Sequence, residues 1–378
     1  MSSKSVFKKR IGDRVGHGSN APVAMVICLA VIALLFILQG CNDNAVNAPK
    51  PGEPAGRLYV LNQNDATLYI YDSQTFKRLD SVGTRVSLPH YIEFAPDGQN
   101  YYITTLEPLG GHIAKFDART NQFVDSISVP PAVVPSAIAI TADSRYGYVC
   151  NFSSPSQRTH IHKFDLSTMQ YLSAIQAGIM THDIKITSDG AIVVACNMNS
   201  DDVTMVYAGP DTVTMVPMDT MNIGGNMYSP YGVIIDHHDS LAYIACMDKM
   251  QVRVLDIAQR EIVDSIDIPV SVSATLAGPT LLAISPNDRV VYVTTQVGNS
   301  VVAFNTLTDS ILADIPLATP NPFGITISDD GSRVYVACVG TPVSKGRVYV
   351  LDGVTFAKVD SIVVGNQSFG LVWHKVIP

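Results

Sequence analysis

One short pattern recurs seven times along this chain. A Tyr-Val-type step stands at Tyr59-Val60, Tyr102-Ile103, Tyr148-Val149, Val193-Val194, Tyr243-Ile244, Tyr292-Val293 and Tyr335-Val336. Successive starts lie 43, 46, 45, 50, 49 and 43 residues apart. A period in the forties, filled with short strands, is the mark of four-stranded blades arranged around an axis. The expected fold is therefore all-β: a seven-bladed β-propeller of four-stranded antiparallel blades. Such blades share one continuous core, so the 378 residues need not divide into several domains.

Residues 90–129 show how one repeat makes four strands. His90 to Ala95 is apolar-rich and ends at Pro96-Asp97-Gly98, where Asp-Gly tolerates the positive φ of a tight hairpin. Tyr101 to Thr105, Ile113 to Phe116 and Phe123 to Val129 are the next three strands. Between the last two lies Asp117-x-x-Thr120, an Asx-type turn in which the carboxylate accepts backbone N–H groups. It recurs at Asp72/Thr75, Asp165/Thr168 and Asp352/Thr355, and as Asn305/Thr308. These acids are read as turn builders rather than as a functional row.

The ends complete each other. The repeat array opens at Leu58 with a second strand and closes at Phe369 to His374 with a first strand. The C-terminal strand is therefore expected to join the N-terminal blade and close the ring, removing the open edges of a linear array.

Residues 1–40 are of another kind. Lys8, Lys9, Arg10 and Arg14 precede an apolar run from Ala21 to Leu38, followed by Gln39-Gly40-Cys41. A basic region, an apolar segment and small residues before a cleavage point make an export signal. Leu38-Gln39-Gly40-Cys41 resembles a bacterial lipobox, which implies cleavage after Gly40 and lipid on Cys41. The other reading is a plain membrane anchor, because about 18 apolar residues just span a bilayer. Residues 41–56, with Pro49, Pro51 and Pro54, read as a tether, and 57–378 as the propeller. The expected location is the cell envelope, outer membrane before inner. Cys150, Cys196, Cys246 and Cys338 fall on equivalent strands of different repeats and read as small buried hydrophobes.

The Tyr148-Val149-Cys150-Asn151 strand, the Pro322-to-Gly331 segment and the Asp-x-x-Thr turn resemble the YVTN-type repeats of seven-bladed propellers. The likeness runs over residues 57–376. It implies an exported or cell-surface protein and carries no activity of its own. Thr104-Thr105 and Thr294-Thr295 depart from the x-Asn form of the repeat.

Chemistry is sparse. No nucleotide loop, nucleophile elbow, Cys-x-x-Cys or His-Glu-x-x-His motif is present. The net charge is −8 with no basic patch, which argues against a nucleic-acid partner. His160 and His162 share a strand face, and His237-His238-Asp239 sits in a hairpin turn; neither brings a full metal-ligand set. No cofactor and no metal site are expected.

The starts of the first strands should ring one mouth of the central channel. The residues there are His90, Ser136, His182, Tyr231, Thr280, Phe323 and Phe369, and they form the candidate ligand-binding ring. Glu93 and Lys185, further down their strands, could pair near the channel. The plain alternative is that the ring packs blade on blade and plugs the hole.

The absence of a catalytic constellation puts first a lipid-anchored, non-enzymatic propeller, held on the membrane through Cys41 and binding a protein or small molecule at one face. The alternative is a hydrolase of the lactonase type with its site at the channel mouth, by analogy with other seven-bladed propellers. A redox role comes last, because no Cys-x-x-Cys-His haem site is present.

Overall fold

The described residues form twenty-eight short strands, and their pairing gives seven four-stranded antiparallel sheets. The computed structural model describes residues 56–376, apart from 108–109, 131–132, 220–227, 270–277 and 342. The expected export signal, the expected lipidation site at Cys41 and most of the tether lie outside the described residues.

Blade 1 combines Gly56–Asn62, Thr67–Asp72 and Arg78–Gly83 with the C-terminal strand Ser368–Lys375. Blades 2 to 7 follow in chain order, beginning at Pro89, Pro135, Thr181, Pro230, Pro279 and Pro322. The expected closure is present. Gly56 pairs with Lys375, Tyr59 with Val372 and Asn62 with Ser368, antiparallel. Gly56 is required here, since a Cβ would lie 2.3 Å from the Trp373 ring. Each innermost strand packs on those of the two neighbouring blades, and the contacts run round the ring without a break.

Local chemistry explains the blades. In the second strands alternation gives way to continuous burial, as in Tyr101 to Thr105 and Val334 to Cys338, because both faces meet a neighbouring blade. The seven apolar clusters mostly join facing sides of adjacent blades. Cys150, Cys196, Cys246 and Cys338 are buried, free thiols within them. The Asp-x-x-Thr turns form as expected: Asp117 Oδ1 accepts from Thr120 N and Oγ1, both at 2.7 Å, and Asp72 Oδ1 accepts from Thr75 N and Oγ1, both at 2.8 Å. The outer strands are mostly exposed.

Candidate functional site: an aromatic plug above a charged chamber

Within each innermost strand, the second residue lies near the axis at one end of the channel. Five of the seven expected ring residues meet there as one cluster. The His90 ring lies 5.7 Å from His182, 5.7 Å from Phe323 and 5.4 Å from Phe369. The His182 ring lies 3.7 Å from that of Tyr231, and Phe152 closes against it at 5.0 Å. Their rings fill this end of the channel as a plug.

The other two ring residues turn into the blades. Ser136 Oγ donates to the His182 carbonyl at 2.6 Å, and Thr280 Oγ1 pairs with Thr294 Oγ1 at 2.8 Å. Both histidines are nearly sealed from solvent, at 3% exposure. Burial holds His90 down to about 4 and His182 well below the ordinary imidazole value, so both are neutral.

Below the plug lies a chamber of about 260 Å³, bounded by the third to sixth residues of the innermost strands and by His237. Most of this wall is small or apolar. Gly232, Gly324 and Gly370 stand at the third position in blades 5, 7 and 1. At Gly232 a Cβ would lie 2.1 Å from the Thr280 carbonyl oxygen, so the close approach of neighbouring strands excludes any side chain.

Polar groups concentrate on one side. Tyr91 and Glu93 come from blade 2, Asp183 and Lys185 from blade 4. Blade 3, between them, supplies only Ser136, Ala137 and Ala139 at the corresponding positions, which leaves room for the long side chains to meet. Lys185 Nζ donates to the Tyr91 hydroxyl and lies 3.8 Å from Glu93 Oε2, the pairing that the strand positions allowed. Asp183 Oδ2 accepts from Val233 N at 2.9 Å, while its Oδ1 is buried with no hydrogen-bond partner among the described residues.

The electrostatics follow from this geometry. Burial raises the Glu93 carboxyl above the ordinary range and Lys185 draws it partly back; burial raises Asp183 in the same way. Burial works against the Lys185 ammonium, but Tyr91, Glu93 and Asp183 outweigh it and hold that pKa up. Burial also keeps Tyr91 protonated. The chamber thus holds a fixed cation, a protonated phenol that both Lys185 and Glu93 adjoin, and two carboxylates of raised basicity. That set can activate a water and receive a developing oxyanion.

Of the other histidine features, His160 and His162 lie away from the chamber, and the His237 turn borders it. His160 and His162 have ring centres 6.3 Å apart on the third strand of blade 3; His162 is buried and neither of its ring nitrogens has a partner among the described residues. Among the described residues no group of three or more His, Cys, Asp or Glu is placed to hold a metal. His237 Nδ1 contacts Asp288 Oδ1 at 2.5 Å and Asp239 accepts from Ser188, so this turn latches three neighbouring hairpins. Tyr91 and Asp183 escape a reading of single repeats. Set side by side, the seven third positions read Tyr91, Ala137, Asp183, Gly232, Leu281, Gly324 and Gly370, and the two polar members stand out.

Comparison with known proteins agrees with the architecture. The family described as "Lactonase, 7-bladed beta-propeller" matches residues 72–262. A search of curated proteins returns no match. Among solved structures, the periplasmic gluconolactonase PpgL of Pseudomonas aeruginosa superposes with a TM-score of 0.71 at 16% identity, over 85% of this chain and 99% of that one. A functionally unknown protein from Desulfotomaculum acetoxidans gives 0.68 at 11% identity, over 84% and 98%. Hydrazine synthase of Kuenenia stuttgartiensis gives 0.57 at 21%, over 70% and 76%. At these identities the structural likeness speaks to the fold, and the family match, spanning half of the chain, identifies this protein as a member of the seven-bladed β-propeller lactonase family.

Proposed function

We propose that the protein is a hydrolase of the lactonase type whose reaction takes place in the central chamber. Of the functions read from the sequence, family membership favours this one over a purely binding role. The observation that carries it is the convergence of Lys185, Tyr91, Glu93 and Asp183 on one cavity, with Asp183 Oδ1 left without a partner among the described residues. An unpaired buried acceptor costs stability, and such costs concentrate where a ligand completes the site.

The chemistry balances without further reactants. Glu93 takes a proton from water as the water oxygen bonds to the lactone carbonyl carbon. The carbonyl oxygen gains the negative charge and accepts from the Tyr91 O–H, with the Lys185 ammonium behind it. Collapse breaks the ring C–O bond, and the ring oxygen recovers the proton from Glu93. The product is the open hydroxy acid. Asp183 is placed to accept from a substrate hydroxyl. A chamber of about 260 Å³ suits a substrate of one small ring.

The same proposal places the protein outside the cytoplasm, as a YVTN-type propeller tethered by lipid on Cys41. Leu38-Gln39-Gly40-Cys41 supports this part. Radiolabelled palmitate incorporation that is lost in Cys41→Ser tests it; label retained in the variant overturns it.

The chemical test is a panel of five- and six-membered lactones incubated with purified protein, with acid release followed by a pH indicator. Turnover that collapses in Glu93→Gln and in Lys185→Met, both still folded, is the expected result. No hydrolysis above background, or full rates in both variants, overturns the reading.

A further inference from the structure

Among the described residues, four of the seven seams between neighbouring blades carry one repeated hydrogen bond to a backbone carbonyl. The residue after the third-strand Asp, or its equivalent, offers its carbonyl to the preceding blade. Tyr335 OH reaches Ser73 O at 3.3 Å, Tyr148 OH reaches Ala208 O at 3.2 Å and Tyr292 OH reaches Gly353 O at 2.7 Å. Between blades 2 and 3, Lys115 Nζ plays the part at Leu166 O, at 3.0 Å. Between blades 4 and 5 the contact is apolar, with Val194 and Ile257 in one cluster.

Between blades 1 and 2 the corresponding pair is Tyr59 and Ala118, and no hydrogen bond joins them among the described residues. A cavity of about 370 Å³ takes the place of the latch. Its lining is cationic, although the chain as a whole carries a net charge of −8. Arg57 comes from the first strand of the chain, Lys375 from the last, and Arg119 from the turn of blade 2. None of the three forms an ion pair among the described residues. The two acids of the lining are occupied: Asp117 Oδ1 caps its own turn, and Asp97 Oδ1 accepts from Gln99 N at 2.9 Å. Tyr59, 2% exposed, has its pKa raised by burial and drawn back by the adjacent Arg57 guanidinium.

We infer that this seam is a second ligand site, separate from the chamber, for a small carboxylate anion that also carries hydroxyl groups. Arg57 and Arg119 supply planar donor forks suited to a carboxylate, and Lys375 adds a third positive charge. Tyr59, Gln99 and the free oxygens of the two acids match the hydroxyls. The ligand bridges the first strand, the last strand and blade 2, so it binds only the closed ring and raises its stability by mass action.

The test uses the full chain. Gluconate, acetate and inorganic phosphate, each at about millimolar concentration and matched in ionic strength with chloride, are added while thermal unfolding is followed by the fluorescence of Trp373, the sole tryptophan. Calorimetric titration gives the affinities. The expected result is a rise in Tm and saturable binding with gluconate, weaker with acetate, and lost about tenfold or more in Arg57→Gln/Arg119→Gln. Glu93→Gln should bind gluconate here as the wild type does, which separates this site from the chamber. Equal shifts with phosphate and gluconate overturn the carboxylate assignment. No saturable binding, or unchanged affinity in the double variant, overturns the site.

Discussion

The plug and the chamber are built from the same seven strands, one residue apart, and they are opposites. At the second position His90, His182, Tyr231, Phe323 and Phe369 are large, and their rings meet. At the third and fifth positions glycine, alanine and aliphatic residues leave a void, and the charged groups stand on blades 2 and 4. Fold symmetry sets where side chains point, and residue size decides whether the axis is solid or hollow. Stability should therefore concentrate in the plug and chemistry in the chamber.

Removing residues 367–378 should break both at once, since Phe369 belongs to the plug and Val372 to the chamber wall. The truncated chain should lose its cooperative thermal transition; an unchanged Tm would refute ring closure through this strand. Next in size, Glu93→Gln or Lys185→Met should lower kcat by about a hundredfold or more, with Tm shifted little. Phe323→Ala should do the reverse: about 3–5 kcal/mol less stable by denaturant titration, with turnover kept within a few-fold. If it abolished turnover at full stability, the division of labour proposed here would fail.

The smallest effect concerns pH. His90 titrates near 4 in the fold against about 6.5 when unfolded, so its neutral form is favoured by folding. The stability this gives is fully present above the unfolded pKa and is lost as pH falls from about 6.5 through 4, at up to about 1.4 kcal/mol per pH unit. His182 adds to the same limb. Denaturant midpoints between pH 7 and 4 should fall less steeply in His90→Phe; an identical slope would show that His90 is not held neutral by the plug.

The architecture was legible from Tyr59 to Phe369 because the repeat encodes it in period, turn and phase. The Asp-x-x-Thr turns are local chemistry and formed as the residues dictate. The channel ring was placed at the right strand position, but whether seven side chains leave a hole depends on the diameter of the ring, which no single repeat carries. Glu93 and Lys185 were visible as a possible pair because both are charged on apolar strands. Their meeting depends on Ala137 and Ala139 in the blade between them, a dependence across three repeats that the linear sequence does not display.

Ring closure also sets a timetable. Ribosomes make Gly56–Asn62 among the first propeller residues and Ser368–Lys375 last, yet the two strands pair. Through nearly all of synthesis the opening strand keeps an unpaired edge, a template for strands of other chains. Any product halted before Ser368 retains that edge permanently. Completion of the chain and concealment of its stickiest surface are one event, so an unfinished molecule carries a visible sign of being unfinished.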